Sequence, residues 1–193
     1  MKCDNGIVLR LYRQTVEDFG LYVGFEMDEA TFERLQKAAG KMSAKMRAVR
    51  IVSASSVSKV HLEQRLIQKG ESKTDARQAV EWMSELDLLD DGKTAQQVVR
   101  RCIAKGYGLE RAKQALYEKR IPKEYWPDAL ADYPDQTEKI LEFLQNRLGD
   151  NWDDKDLRRA TDALLRRGHS YRNIRKALEI FSGDSDIQED IYD

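Results

Sequence analysis

One pattern of apolar and polar residues recurs three times along this 193-residue chain and constrains its fold more than any other feature. The three copies span residues 57–89, 108–130 and 156–178. Apolar residues lie three and four positions apart in each copy, which predicts two amphipathic helices joined by a turn. In the first copy Ser58 is suited to cap the first helix, and Ser72 or Thr74 the second. Gly70 suits the turn between them, so the sequence predicts a mainly α fold.

The spacing of the copies predicts a helical repeat. The alignment makes Leu66, Leu116 and Leu164 equivalent, and likewise Gly70, Arg120 and Gly168. The resulting period of about 50 residues is typical of such repeats. A second register, with Gly70 over Gly106, also matches, but the first gives three complete repeats of three helices. We therefore predict an elongated, curved array of three tandem three-helix repeats over residues 41–90, 91–133 and 134–181.

The first 40 residues carry a different pattern. Apolar residues alternate with other residues at Ile7, Leu9 and Leu11, and again at Phe19, Leu21, Val23 and Phe25. Alternation predicts two strands, joined around Gln14–Asp18. Asp28 is then suited to cap a short helix that Gly40 ends. We predict that residues 1–40 form a small N-terminal β-hairpin plus helix packed on the first repeat, because a lone hairpin is marginally stable in water.

Charge alternates along the chain, although the net charge is only −1. Residues 41–77, 93–123 and 157–178 carry six, seven and six more basic than acidic residues, and an acidic stretch follows each of them. Stacked repeats would align the basic parts into a stripe that binds polyanions. Solvated helix faces with local salt bridges explain the charges equally well. The last acidic stretch, residues 182–193, is predicted to be a disordered tail.

The outward-facing arginines and lysines of the second and third repeats are the candidate binding residues. Such residues neutralise phosphates, which gives salt-sensitive affinity without reading base sequence. The candidates are Arg100, Arg101, Lys105, Arg111, Lys113, Lys119, Arg120, Arg166, Arg167, Arg172 and Arg175.

The sequence lacks the usual features of catalysis and of metal or cofactor binding. It has no glycine-rich phosphate loop and no Cys/His spacing for zinc. His61 and His169 are expected to be surface or packing residues. No run approaches the roughly 18 apolar residues of a membrane span, and the N-terminus has no secretory h-region. We predict a cytoplasmic, monomeric binding protein with no catalytic residue, metal or cofactor.

Five short motifs occur in a fixed order within residues 41–181. They are LIQKG (Leu66–Gly70), LDLLDD (Leu86–Asp91), AKGYG (Ala104–Gly108), LYEKRI (Leu116–Ile121) and ALLRRG (Ala163–Gly168). In this order, and with three helical repeats, the chain resembles the RecX family, the bacterial modulators of the RecA recombinase. The chain departs from the family pattern at Arg120, where glycine is usual, at His169, where an aromatic residue is usual, and at Ser53–Ser56, where basic residues are common.

The resemblance implies a non-enzymatic regulator in DNA repair, recombination and the SOS response. Proteins similar to RecX lie in the helical groove of the RecA filament on single-stranded DNA. There they limit filament growth and depress ATP hydrolysis and strand exchange. The implied partners are the RecA filament and, with weak and salt-sensitive affinity, single-stranded DNA, with no membrane.

Two other classes of binding protein fit parts of the sequence. A helix-turn-helix transcription regulator would need a recognition helix with base-reading residues, and Gln96–Gln97–Arg100–Arg101 is the nearest candidate. That class leaves the threefold repetition unexplained. A helical-repeat scaffold for protein partners alone would bind without a DNA requirement and without strong salt dependence.

Overall fold

The computed structural model describes residues 1–3, 6–148 and 152–183, and in these residues the fold is mainly α, as predicted. One turn of 3-10 helix, Lys123–Tyr125, precedes the seventh α-helix. In chain order the α-helices are α1 (Arg13–Asp18), α2 (Glu29–Ala54), α3 (Lys59–Gln68), α4 (Lys73–Glu85), α5 (Asp91–Ala104), α6 (Leu109–Glu118), α7 (Trp126–Leu130), α8 (Thr137–Leu148), α9 (Asp154–Arg166) and α10 (Tyr171–Ser182).

The chain forms two compact units, unit 1 (Met1–Asp91) and unit 2 (Gly92–Asp193). The predicted division into five segments, and the grouping of the helices into three repeats, stay predictions. Most of the predicted acidic tail, residues 184–193, lies outside the described residues, whereas Ser182 is the last residue of α10.

The core of unit 1 forms where α2 packs against α3 and α4. Small residues on the two longer helices, Ala44 and Ala48 of α2 and Ala76 of α4, are fully buried and let the backbones approach closely. Leu62 and Leu66 of α3 are fully buried in the same cluster. The apolar faces predicted from helical spacing therefore meet in one core.

Helix α2 continues through Gly40, so the predicted end of a short helix at this residue is wrong. Its start is as predicted, because the Asp28 carboxylate accepts a hydrogen bond from the Thr31 N–H group over 2.7 Å. At Gly40 a Cβ atom would lie 2.9 Å from the Oδ2 atom of Asp75 in the first turn of α4. The glycine permits a close approach of two helices, and this packing outweighs its local preference for a helix end.

The predicted N-terminal β-hairpin is also wrong, since the described residues contain an isolated bridge between Lys2 and Val8 and no strand. The segment predicted as the turn of the hairpin forms α1 instead. Its side chains pair at helical spacing, with the Arg13 guanidinium 2.7 Å from the Glu17 carboxylate. Gly20, with a φ of 57°, interrupts the predicted second strand. Local side-chain pairs and a left-handed glycine therefore outweigh the apolar alternation.

The three predicted turns share one local structure. Their central residues adopt positive φ angles, 92° at Gly70, 54° at Arg120 and 84° at Gly168. The next N–H group in each turn donates to the carbonyl of a buried leucine, as Glu71 to Leu66, Ile121 to Leu116 and His169 to Leu164. Gly106 and Asp87 end helices in the same way, so this bond alone does not select a repeat register.

Asp91 connects the end of unit 1 to the start of α3. Its Oδ1 atom accepts a hydrogen bond from the Lys59 N–H group over 2.9 Å, and its side chain is buried. The Ser58 hydroxyl accepts from the His61 N–H group one turn later. Two N–H groups of the first turn of α3 thus have side-chain acceptors, and the negative charge suits this end of the helix dipole.

The described residues of unit 2 form two apolar clusters. One joins α5 to the end of α6 through Val98, Val99 and Leu116. The other lies among α8, α9 and α10, which contribute fully buried residues such as Leu144, Leu164 and Ile174. Among the described residues, no helix is long and apolar enough to cross a membrane.

The equivalent leucines of the repeat alignment should each be important for stability. Leu66, Leu116 and Leu164 are fully buried, and replacing any one with alanine should lower the free energy of unfolding by roughly 2–5 kcal/mol. Leu165→Ala is the matched control, because Leu165 is 39% exposed and adjacent to Leu164. Urea denaturation measures all four variants, and a near-zero loss at two of the three buried positions would contradict their predicted equivalence.

Candidate functional site

Unit 2 contains a direct backbone contact between two loops, called here the loop junction (residues 106–110 and 167–169). The Gly108 N–H group donates to the Arg167 carbonyl over 2.9 Å, and the Glu110 N–H group donates to the Gly168 carbonyl over 3.2 Å. Gly108 is the N-cap of α6 and has no side chain to cap it. The Gly168 carbonyl takes that role, so the start of α6 is tied to the end of α9.

Glycine is required at both central positions of the loop junction. A Cβ atom at Gly108 would overlap the carbonyl group of Gly168, although the backbone conformation of Gly108 itself suits any residue. A Cβ atom at Gly168 would overlap the backbone of Arg111, and Gly168 also has a φ of 84°. The two hydrogen bonds therefore depend on the absence of side chains.

His169 adds a buried side-chain bond to the loop junction. Its Nε2 atom lies 3.0 Å from the Gly106 carbonyl, and because a carbonyl only accepts, the proton must be on Nε2. The Nδ1 atom is buried and has no hydrogen-bond partner in the part of the chain that the structure describes. Burial lowers the pKa of His169, the Gly106 bond raises it, and the nearby Arg167 charge lowers it. His169 is thus a neutral packing residue, one of the two roles expected from sequence.

Three of the predicted binding residues lie in or beside the loop junction, and each has a structural contact. The Arg111 guanidinium pairs with the Glu118 carboxylate over 2.9 Å. The Arg167 guanidinium lies 4.6 Å from the centre of the Phe143 ring, and the Lys105 ammonium 6.0 Å from that of Tyr107. The hydrogen bond and opposite charge of Glu118 raise the pKa of Arg111, and Arg111 lowers the pKa of Glu118. These three cations are therefore held by the fold.

The other predicted residues are spread over the surface of unit 2. The Lys113 ammonium pairs with Glu110 over 2.7 Å, and the Arg175 guanidinium with Glu179 over 3.0 Å. Lys119 and Arg120 lie at the far end of α6 from the loop junction. Four of the predicted arginines are exposed and form no ion pair among the described residues, namely Arg100, Arg101, Arg166 and Arg172.

A groove of about 630 Å³ runs along α10. It brings together Arg172 and Arg175 with Lys176, which the sequence-based candidates did not include. The Lys176 ammonium lies 3.2 Å from Oδ2 of Asp135, in the segment before α8. Hydrogen bonds from Thr137 and then from Lys176 lower the pKa of Asp135 to about 2, so this carboxylate is charged at neutral pH. The remaining residues of the groove are Tyr171, Asn173 and Glu179.

Helical spacing alone was sufficient to find Lys176, because it follows Arg172 by four residues and must share its face of α10. The loop junction had no such local indication, since Gly108 and Gly168 are far apart in sequence. No cluster of three or more His, Cys, Asp or Glu side chains suited to a metal ion occurs in residues 1–3, 6–148 and 152–183.

Comparisons with known proteins identify relatives among regulatory proteins named RecX. No protein-family model matches the chain. The regulatory protein RecX of Vibrio parahaemolyticus serotype O3:K6 (strain RIMD 2210633) is 26% identical over 152 residues, which cover 77% of this chain and 98% of that protein. The regulatory protein RecX of Xanthomonas campestris pv. campestris (strain B100) is 30% identical over 134 residues, covering 68% of this chain and 83% of that protein.

Solved structures of RecX proteins share the fold. A crystal structure of a regulatory protein RecX matches with a TM-score of 0.66 and 19% identity, covering 94% of this chain and 92% of that one. The crystal structure of RecX from Lactobacillus salivarius matches with a TM-score of 0.63 and 23% identity, covering 75% of this chain and 98% of that one.

Gly108→Ala should destabilise unit 2, because the added methyl group must displace backbone in the loop junction. We expect a loss of about 1–3 kcal/mol in the free energy of unfolding, the usual effect of overpacking. Gly40→Ala is the matched control. It adds the same methyl group in α2 against the end of the Asp75 side chain, and alanine favours a helix by up to about 1 kcal/mol. Wild-type stability of Gly108→Ala in urea denaturation would contradict the close contact.

His169 should make stability depend on pH. Because its pKa is lowered in the folded protein, the stability from the neutral ring is fully present above its ordinary value of 6.5 and is lost as the pH falls through the lowered pKa. Urea denaturation between about pH 7.5 and about pH 5 should show a steeper loss for the wild type than for His169→Gln. Both proteins retain His61, so its contribution cancels. Equal losses would show that His169 is not buried in its neutral form.

Proposed function

The chain belongs to the RecX family of regulatory proteins, and from this premise we propose that it is a non-enzymatic regulator of the RecA recombinase. In this proposal it binds in the groove of the RecA filament on single-stranded DNA and inhibits ATP hydrolysis and strand exchange during DNA repair and recombination. Its partners are RecA and, with weak and salt-sensitive affinity, single-stranded DNA. It acts as a cytoplasmic monomer built from three three-helix repeats.

The observation that carries the proposal is that four of the predicted arginines, Arg100, Arg101, Arg166 and Arg172, are exposed without an ion pair among the described residues. No carboxylate in the described part of unit 2 pairs with these arginines, so in this proposal they bind phosphate groups. Guanidinium groups bind phosphates with two parallel hydrogen bonds and remain charged at all physiological pH values. Each phosphate contact releases condensed counterions, which gives affinity without base sequence.

The paired cations of unit 2 support the same proposal. Lys113 and Arg175 pair with carboxylates on their own helices, and both members of each pair are substantially exposed. Exposed pairs of this kind contribute about 0–1 kcal/mol, so a phosphate can replace the carboxylate at small cost. The same carboxylates weaken binding to naked DNA, which favours a partner that supplies further contacts, as a RecA filament does.

A helix-turn-helix regulator is the alternative that α5 favours, since Gln96, Gln97, Arg100 and Arg101 are all exposed. Such a protein would bind a selected duplex more tightly than a random one. A gel-shift comparison of selected and random duplexes distinguishes the two, because the RecA regulator should show no preference.

Reversing two uncompensated charges should relieve RecA inhibition. Arg166→Glu with Arg172→Glu should raise the concentration needed to inhibit the single-strand-dependent ATPase of RecA. The slope of log K against log salt concentration, for binding to the filament, should become shallower by about 0.7 for each lost phosphate contact with the single strand. The measurement is ATP hydrolysis by RecA from the same bacterium, with increasing amounts of each variant.

The control for this experiment is Lys37→Glu with Lys41→Glu, which changes the net charge equally at exposed positions of α2. It should inhibit like the wild type. Equal inhibition by the arginine variant and the wild type would exclude this surface, and an absence of any wild-type effect on RecA would exclude the proposed function itself.

A further inference from the structure

The connection between α1 and α2 in unit 1 carries two exposed apolar residues at its centre, called here the apolar tip (Tyr22 and Val23). Val23 is fully exposed and Tyr22 is 70% exposed, the two highest values among the large apolar residues of the described chain. Single exposed apolar residues are ordinary on protein surfaces, whereas neighbouring ones form a candidate interaction surface. The apolar tip therefore calls for an examination of what holds it and what surrounds it.

The apolar tip is held in place by its own turn. The Phe25 N–H group donates to the Tyr22 carbonyl over 3.1 Å, and the two rings pack edge to face with 5.3 Å between their centres. Gly20 and Gly24, with φ angles of 57° and 87°, lie on either side of the exposed pair. An aromatic side chain that is already positioned loses little conformational entropy when it binds, which favours affinity.

The charged residues next to the apolar tip in sequence are all acidic. Residues 14–33 contain no lysine or arginine, and their acidic residues are Glu17, Asp18, Glu26, Asp28, Glu29 and Glu33. Two of these have a local role, since Glu17 pairs with Arg13 and Asp28 caps α2. Asp18, Glu26 and Glu29 are exposed and form no ion pair among the described residues. The apolar tip thus has uncompensated carboxylates on both sides of it.

The sign of this charge selects the kind of partner. Carboxylates repel the phosphates of DNA and of anionic lipids over about 8–10 Å at physiological salt, so neither ligand suits the apolar tip. A protein pocket that is apolar inside and bordered by lysines or arginines complements both of its features. Buried aromatic residues are among the largest contributors to the affinity of protein interfaces, and complementary charges orient the partners and speed their association.

We propose that the apolar tip binds in an apolar pocket of a RecA subunit, with Asp18 and Glu26 facing basic residues at the edge of that pocket. The inference rests on the proposed function for its choice of RecA as the partner. It adds a protein contact made by unit 1 to the phosphate contacts proposed for unit 2. The two surfaces have opposite charge, so they should respond in opposite ways to the same change of charge.

Binding of the full chain to an oligodeoxythymidylate, alone and within a RecA filament formed with an ATP analogue that is not hydrolysed, tests the proposal. Tyr22→Ala with Val23→Ala should lower the affinity for the filament at least about 5-fold and leave that for the oligonucleotide unchanged. Val23→Ala alone should cause part of this loss, and because Val23 is fully exposed, its replacement leaves the fold intact. Tyr117→Ala with Val60→Ala is the matched control, since it removes the same side chains at exposed positions of α6 and α3.

Reversing the charge beside the apolar tip separates a protein contact from attraction to DNA. Asp18→Lys with Glu26→Lys should strengthen binding to the oligonucleotide alone but weaken binding to the filament, and both changes should shrink as salt increases.

The possible failures of the inference and of the proposed function can be told apart. Wild-type affinity of either tip variant for the filament, an equal loss for both ligands, or tighter filament binding by the charge-reversed variant would overturn the inference. If the wild type inhibits the RecA ATPase and the tip variants inhibit equally well, the inference alone is wrong. If the wild type binds the filament no more tightly than the oligonucleotide and does not inhibit, the proposed function and the inference are both wrong.

Discussion

The arrangement of unit 2 depends on two hydrogen bonds between backbone groups of the loop junction. Helix α6 begins after a glycine, so its first N–H groups have no side-chain cap and need an acceptor from elsewhere. The carbonyls that end α9 supply it, at distances that no Cβ atom would allow. The backbone positions of Arg111 and Arg167 are consequently set by main chain, and the Glu118 pair of Arg111 and the Phe143 contact of Arg167 adjust the side chains alone. The proposed polyanion-binding surface would therefore keep its backbone spacing if a polyanion replaced the local carboxylates.

Local chemistry explains which helices were predictable from sequence. The caps at Ser58, Ser72 and Ser170 are contacts within one turn, and the buried leucines follow helical spacing, so both are visible in a short window of sequence. Gly40 shows the limit of such rules. Its surroundings in sequence favour a helix end, but its role is set by Asp75 of another helix. The strands predicted from the N-terminal alternation do not form for a related reason. A strand needs a paired neighbour, whereas helix α1 needs only contacts among its own side chains.

The type of residue in the candidate site could be predicted from the sequence, but the arrangement of these residues in space could not. Counting charge along the chain identified Arg172 and Arg175, because a helix displays its outer residues without help from the rest of the fold. It omitted Tyr171, since aromatic residues at helical spacing normally indicate a core. It also gave no indication that Gly108 and Gly168 touch, because that contact arises from packing between distant segments. Residues whose role depends on a contact between distant segments show no periodic pattern in the sequence.

The buried carboxylate of Asp91 has a consequence for anyone who separates the two units by proteolysis or truncation. The last residue of unit 1 in sequence is a capping group for a helix that starts 32 residues earlier. A fragment that stops one residue sooner would leave the Lys59 N–H group without its side-chain acceptor in a part-buried environment. Such a fragment would lose one of the two side-chain acceptors at the start of α3, so the stability of unit 1 on its own has to be measured on fragments that retain Asp91.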